Sequence, residues 1–132
     1  MEAAQALADL TEISTQIKAA ALFRADGSID ASTLVDGTRF VEAARALLSA
    51  ADGVRTEPLV QLEAATADGS VFVVRDGERL VAAVTGPEPT VGLVFYDLKS
   101  CLRSSAESEE PEKPKRAAPK RKPKEEGENG EA

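Results

Sequence analysis

Short apolar runs punctuated by Asp-Gly pairs fill the centre of the chain. Residues 59–67, 71–75 and 80–85 are separated by Asp68-Gly69 and Asp76-Gly77. Asp-Gly between alternating apolar segments is a strong hairpin signal, because a type I′ turn needs positive φ at both central residues. Two such turns predict a three-stranded antiparallel meander. In its first strand Val60, Leu62, Ala64 and Thr66 alternate with Leu59, Gln61, Glu63 and Ala65. The second row carries an amide and a carboxylate, so one side of this strand is partly wet and an edge position suits it. Residues 80–84, Leu-Val-Ala-Ala-Val, are apolar throughout and read as central.

Upstream, residues 2–16 predict an amphipathic helix. Ala3, Leu7, Leu10, Ile13 and Ile17 recur at intervals of three or four, with Glu2, Asp9, Thr11, Glu12 and Gln16 opposite. Residues 17–24 are apolar apart from Lys18 and Arg24, which predicts a strand covered on both faces. Ala25-Asp26-Gly27-Ser28 turns it into a second strand over 29–34. The first and last strands should therefore lie together at the sheet centre.

A second helix follows Asp36-Gly37-Thr38, either of whose polar ends could cap it, and runs to about residue 51. Phe40, Val41, Ala44, Leu47, Leu48 and Ala51 form its apolar face. Asp52-Gly53 ends it, with glycine suited to a left-handed position past the helix. Ala43, Ala46 and Ala50 make a flanking row. That row fits plain helix propensity, or a small-residue surface that lets another helix come close. Pro87 and Pro89 break the strand pattern, and residues 91–103 are locally ambiguous. Periodicity favours a helix, since Val91, Val94, Phe95, Leu98, Cys101 and Leu102 make one stripe with Asp97, Lys99, Ser100 and Arg103 opposite. Thr90 can cap it.

The expected class is α/β (α+β): helix-strand-strand-helix-strand-strand-strand-helix with a five-stranded antiparallel sheet. Of the 132 residues, those from 104 onward lack any large apolar side chain. Two regions are expected, a folded domain over 1–103 and a disordered charged tail over 104–132, whose composition cannot offset the entropy of ordering.

Charge narrows the partners. The chain carries a net −7, and residues 1–106 hold nine basic against fifteen acidic residues, a balance of −6. An acidic domain argues against wrapping a polyanion. The tail instead concentrates Lys113, Lys115, Arg116, Lys120, Arg121, Lys122 and Lys124 between acidic blocks. This basic segment could touch nucleic acid or an anionic membrane face. It has no aromatic residue for base stacking, and a solubilising polyampholyte tether is the favoured reading. One cysteine allows no internal disulfide, and no export signal or apolar run of bilayer length is visible. A soluble cytoplasmic protein is expected.

Candidate chemistry is sparse. The chain has no histidine, which removes His-dependent triads and the common His-bearing zinc sites. No phosphate-cradling glycine loop of familiar spacing occurs. Asp26, Asp68 and Asp76 each precede glycine and are explained as turn acids. Cys101 falls on an apolar stripe and reads as an inert buried thiol. Arg75 and Arg79, flanking an Asp-Gly tip, are the most projecting candidates for an arginine acting in trans on a bound nucleotide. No catalytic, cofactor or metal site is expected, and the protein is read as a non-enzyme.

With these residues, the order of elements resembles the Roadblock family of dynein light chains and the bacterial MglB-type regulators of Ras-like GTPases. The features that carry it are Leu7-Ala-Asp-Leu10, Ala19-Ala-Ala-Leu-Phe-Arg-Ala-Asp-Gly-Ser-Ile29, the alanine-rich second helix, Val60-Gln-Leu-Glu-Ala64 with Asp68-Gly69, Leu80-Val-Ala-Ala-Val84, and Val91-Gly92-Leu93. The resemblance spans residues 3–103 and leaves the tail outside. It implies the second helix on one face of the sheet and the other two on the opposite face. It also implies a dimer, with itself or a paralogue, in which the first meander strand pairs with its mate while the second helices pack at the seam. The implied interface is Ala43, Ala46, Ala50, Leu59, Gln61 and Glu63. The implied function is to bind a Ras-like small GTPase and bias its nucleotide state without bond chemistry. The alternative is a dimeric adaptor that the basic tail tethers to nucleic acid or a membrane surface.

Overall fold

The structure, a computed structural model, describes residues 1–108. Eight elements follow one another: α1 (Ala3–Ile13), β1 (Ile17–Arg24), β2 (Ile29–Ser32), α2 (Thr38–Asp52), β3 (Gln61–Thr66), β4 (Gly69–Asp76), β5 (Arg79–Thr85) and α3 (Val91–Ser108). The sheet is antiparallel with order β2-β1-β5-β4-β3. The two uniformly apolar strands do sit together at the centre, and the polar-patterned β3 is an edge.

Both faces of the central strands are buried, which is why their sequences show no alternation. Ala20, Leu22, Val81 and Ala83 join Leu7, Leu10, Val94 and Leu98 in a core under α1 and α3. Ala21, Phe23, Leu80 and Ala82 join Val41, Ala44 and Leu48 in a second core under α2. Alternate residues of one strand thus serve opposite layers. Phe72 and Phe95 meet edge-to-face with ring centroids 5.0 Å apart, fixing α3 on β4.

Several local expectations are corrected. Neither Asp-Gly pair forms a type I′ turn. The β4–β5 loop is Gly77-Glu78, with positive φ only at Gly77 (64°), the pattern of a type II′ turn. The β3–β4 loop is Ala67-Asp68, so Gly69 already belongs to β4. There a Cβ would overlap the Thr85 carbonyl oxygen, so glycine is required by close backbone approach. Gly53 is right-handed (φ −66°), and the chain leaves α2 through further turns at Val54 and Arg55.

At the helix ends, side chains beyond the apolar stripes decide the outcome. α1 stops at Ile13, three residues before its expected end, and Ile13 is 72% exposed. Gln16, expected on the wet side of that helix, instead accepts the Thr90 amide at 2.6 Å and ties the α1–β1 loop to the start of α3. Asp36 accepts the Thr38 N–H, satisfying a free amide of α2, and that bond holds its carboxyl below the usual range. α3 continues five residues past the expected Arg103. Ser105 on this extension is buried, and its hydroxyl is satisfied there, accepting from Arg79 and donating to Leu102 O.

Candidate functional site

β3 is held in place by the chain just before it. The C-terminal residue of α2, Asp52, accepts the Leu59 amide at 2.7 Å and stands 3.6 Å from the Arg75 guanidinium of β4. Leu59 itself is half-buried and packs against the core under α2, as Leu62 and Val71 do. It therefore leaves the row it shares with Gln61 and Glu63 in simple alternation, because the Asp52 contact turns the chain before the strand begins.

From Gln61 onward the alternation is regular. The Arg75 N–H donates to Val60 O, which sets the parity of the β3–β4 ladder. The main-chain groups of Val60, Leu62 and Ala64 face β4, and those of Gln61, Glu63 and Ala65 face outward along the free edge. The Gln61 and Glu63 side chains lie opposite Val74 and Phe72, on the α1/α3 face. Glu63 accepts the Ser70 hydroxyl at 3.0 Å through one carboxylate oxygen.

The sheet has two edges. β2 has four residues, is covered on one side by α1, and carries the Asp30–Arg24 ion pair. These are the usual means of blunting an edge. β3 has six residues, and no other strand among the described residues pairs with its outer side. The Ala43, Ala46 and Ala50 side chains of α2 are exposed, on the side of the helix turned away from buried Val41, Ala44 and Leu48. The structure thus brings Gln61 and Glu63 to one edge and the alanines to one outer surface, while Leu59 goes to the core.

Neither candidate trans-acting arginine projects. Arg75 is paired with Asp52, and an Arg79 guanidinium nitrogen donates to Ser105 Oγ at 3.0 Å. Cys101 is buried, with its thiol 3.5 Å from Ala6 O. Burial, with a smaller push from Asp9, raises that thiol to about 12. Among the described residues, no group of three or more His, Cys, Asp or Glu could hold a metal, and no helix is long and apolar enough to cross a membrane. The seven basic tail candidates, Lys113, Lys115, Arg116, Lys120, Arg121, Lys122 and Lys124, lie outside the described residues.

One feature near the edge went unread in the sequence. A cleft of about 250 Å³ opens between the start of β3 and α3. Val60, Val74 and Leu102 line it together with the polar Gln61, Lys99 and Arg103, and with Arg75 and Asp76 from the end of β4. The four-residue spacing of Lys99 and Arg103 on the polar side of α3 was the available signal.

The layer order agrees with known structures. A Roadblock/LC7 domain from Streptomyces avermitilis superimposes with a TM-score of 0.71 at 16% identity, covering 82% of this chain and 98% of that one. The chain has the Roadblock/LC7 fold. MglB of Myxococcus xanthus shares it at TM-score 0.65 and 16% identity, over 81% of this chain and 87% of its own. The gliding protein MglB of Thermus thermophilus does so at 0.69 and 12%, over 80% and 86%. No protein-family model and no curated protein sequence matches the chain. The Roadblock/LC7 fold here is therefore carried by packing pattern, at identities where individual positions have diverged.

Proposed function

We propose that the protein is a non-enzymatic, dimeric regulator or scaffold that binds a Ras-like small GTPase and biases its nucleotide state. The observation that carries the reading is the open β3 edge, with outward-facing main-chain groups at Gln61, Glu63 and Ala65, on a Roadblock/LC7 fold. A long unpaired edge is an aggregation hazard unless something covers it. A second copy, or a paralogue, covers it by extending the sheet, and the alanine row of α2 suits close helix approach at the same seam. The likeness to MglB supports regulation as the task, and the tied-down arginines make surface complementarity the means in place of an inserted catalytic group. The cytoplasm is the proposed location.

A native pull-down with the GTP and GDP analogues added separately tests this. Capture of a small GTPase preferentially in one nucleotide state is expected. A dimer that neither captures a cognate GTPase nor alters its hydrolysis rate overturns the GTPase role. Repeating the capture without residues 109–132, which leaves α3 and its buried Ser105 whole, separates the tether alternative, which predicts loss of all salt-sensitive binding.

A further inference from the structure

We infer that β3 pairs with β3 of a second copy in the register centred on Leu62, with the partner subunit's Glu63 seated at the cleft formed by Gln61, Lys99 and Arg103. The inference rests on the dimeric reading above and adds which residues recognise one another.

An antiparallel two-fold along this edge must match outward-facing residues with outward-facing residues. Four registers do so over three or more residues of β3, those centred on Leu62, Glu63, Ala64 and Ala65, the last of which carries both Gln61 and Glu63 past the end of the partner strand. Centring on Glu63 places the two Glu63 carboxylates directly opposite each other on the same face, which is repulsive. Centring on Ala64 sets Glu63 against the partner's Ala65 and carries Gln61 past the end of the partner strand. Centring on Leu62 places each Gln61 opposite the partner's Glu63, twice by symmetry, and brings the two Leu62 side chains together on the α2 face.

The cleft selects among them independently. Gln61 lines it with Lys99 and Arg103, beside Val74, Leu102 and the Asp76 carboxylate, so the two α3 cations outnumber that one acid. A residue directly opposite Gln61 points to the same face of the sheet and so lies beside these two cations. Of the four, only the Leu62 register brings a carboxylate of the partner there. Glu63 can fill that role, because Ser70 engages only its Oε2 and leaves Oε1 to accept from the Gln61 amide and the cations. Each subunit then supplies one carboxylate and one cationic cleft, a self-complementary arrangement that is complete only with two copies.

Cysteine pairing reads the register. Mixing Gln61→Cys protein with Glu63→Cys protein under mild oxidation should give a disulfide-linked dimer. Either variant alone should not, because like positions lie two residues apart in this register and beyond disulfide reach. Cross-linking of Glu63→Cys with itself, or of Glu63→Cys with Ala65→Cys, overturns the inference in favour of another register. Charge exchange is the second arm. Glu63→Lys should raise the dimer dissociation constant about tenfold or more, and adding Lys99→Glu with Arg103→Glu should recover most of the loss. No recovery, in a protein whose melting curve is unchanged, overturns the role of the cleft. A wild type that stays monomeric at tens of micromolar in light scattering overturns the dimer itself, and the inference with it. A wild-type dimer with the wrong cross-links overturns the register alone.

Discussion

Asp52 and Arg75 face each other at 3.6 Å, and the other oxygen of Asp52 holds the Leu59 amide at 2.7 Å. One carboxylate at the end of α2 thus joins the helix, the approach to β3, and β4. Asp52→Ala should cost about 1–3 kcal/mol in chemical denaturation, since it removes a charge-assisted bond to a partly buried amide and leaves Arg75 unpaired. Asp52→Asn keeps an acceptor and should cost less. Hydrogen exchange at Leu62 and Ala64 should accelerate in Asp52→Ala before exchange in β1 or β5 does. Equal acceleration throughout the sheet would mean that the contact only adds global stability.

Charge on the outer row of α2 should separate assembly from folding. Ala46 and Ala50 are exposed. Ala46→Glu and Ala50→Glu should therefore change monomer stability by no more than about 0.5 kcal/mol. At a packed seam the same carboxylate is desolvated without a partner, so both variants should dissociate more readily in light scattering over a concentration series. Unchanged dissociation would place the row on an outer surface of the dimer.

Two glycines at neighbouring hairpins should respond differently. Gly69→Ala drives a Cβ into the Thr85 carbonyl and should cost roughly 2–4 kcal/mol in a thermal or urea melt. Gly77 has open space around it but a φ of 64°, so Gly77→Ala should cost only about 1–2 kcal/mol, and Gly77→Asn less. Equal losses at both sites would mean that backbone conformation, and not close approach, governs Gly69.

The Cys101 thiol should shape the alkaline limit of stability. Its folded value of about 12 lies above the ordinary 9.0, so the unfolded chain loses this proton first. The stability that the neutral thiol provides is intact below pH 9.0 and is lost as pH rises toward about 12. Urea midpoints at pH 8 and pH 10.5 should fall further for wild type than for Cys101→Ala. At pH 8 the native thiol should also resist alkylation until the protein is unfolded. An equal fall in both proteins would assign the alkaline loss to other groups.

Apolar periodicity by itself determined the element order and the central pairing of β1 with β5. The two continuous apolar runs, residues 17–24 apart from Lys18 and Arg24 and 80–84, must be covered on both faces, and only the sheet centre offers that. The mixed pattern of Gln61 and Glu63 likewise marked β3 as an edge. Contacts between residues far apart in the chain decided the rest. The extended end of α3 carries Ser105 to Arg79, and the loop after α1 is joined to the start of α3 through Gln16 and Thr90. The hairpin turns moved because Gly69 is needed where β4 passes Thr85. Leu59 left the edge row because Asp52 captured its amide. The cationic cleft combines Gln61 with Lys99 and Arg103, whose proximity exists only after α3 has packed on the sheet. A pattern of hydrophobicity encodes which face a residue takes. It does not encode which distant polar group that face will meet, and at this edge those meetings set the shape presented to a partner.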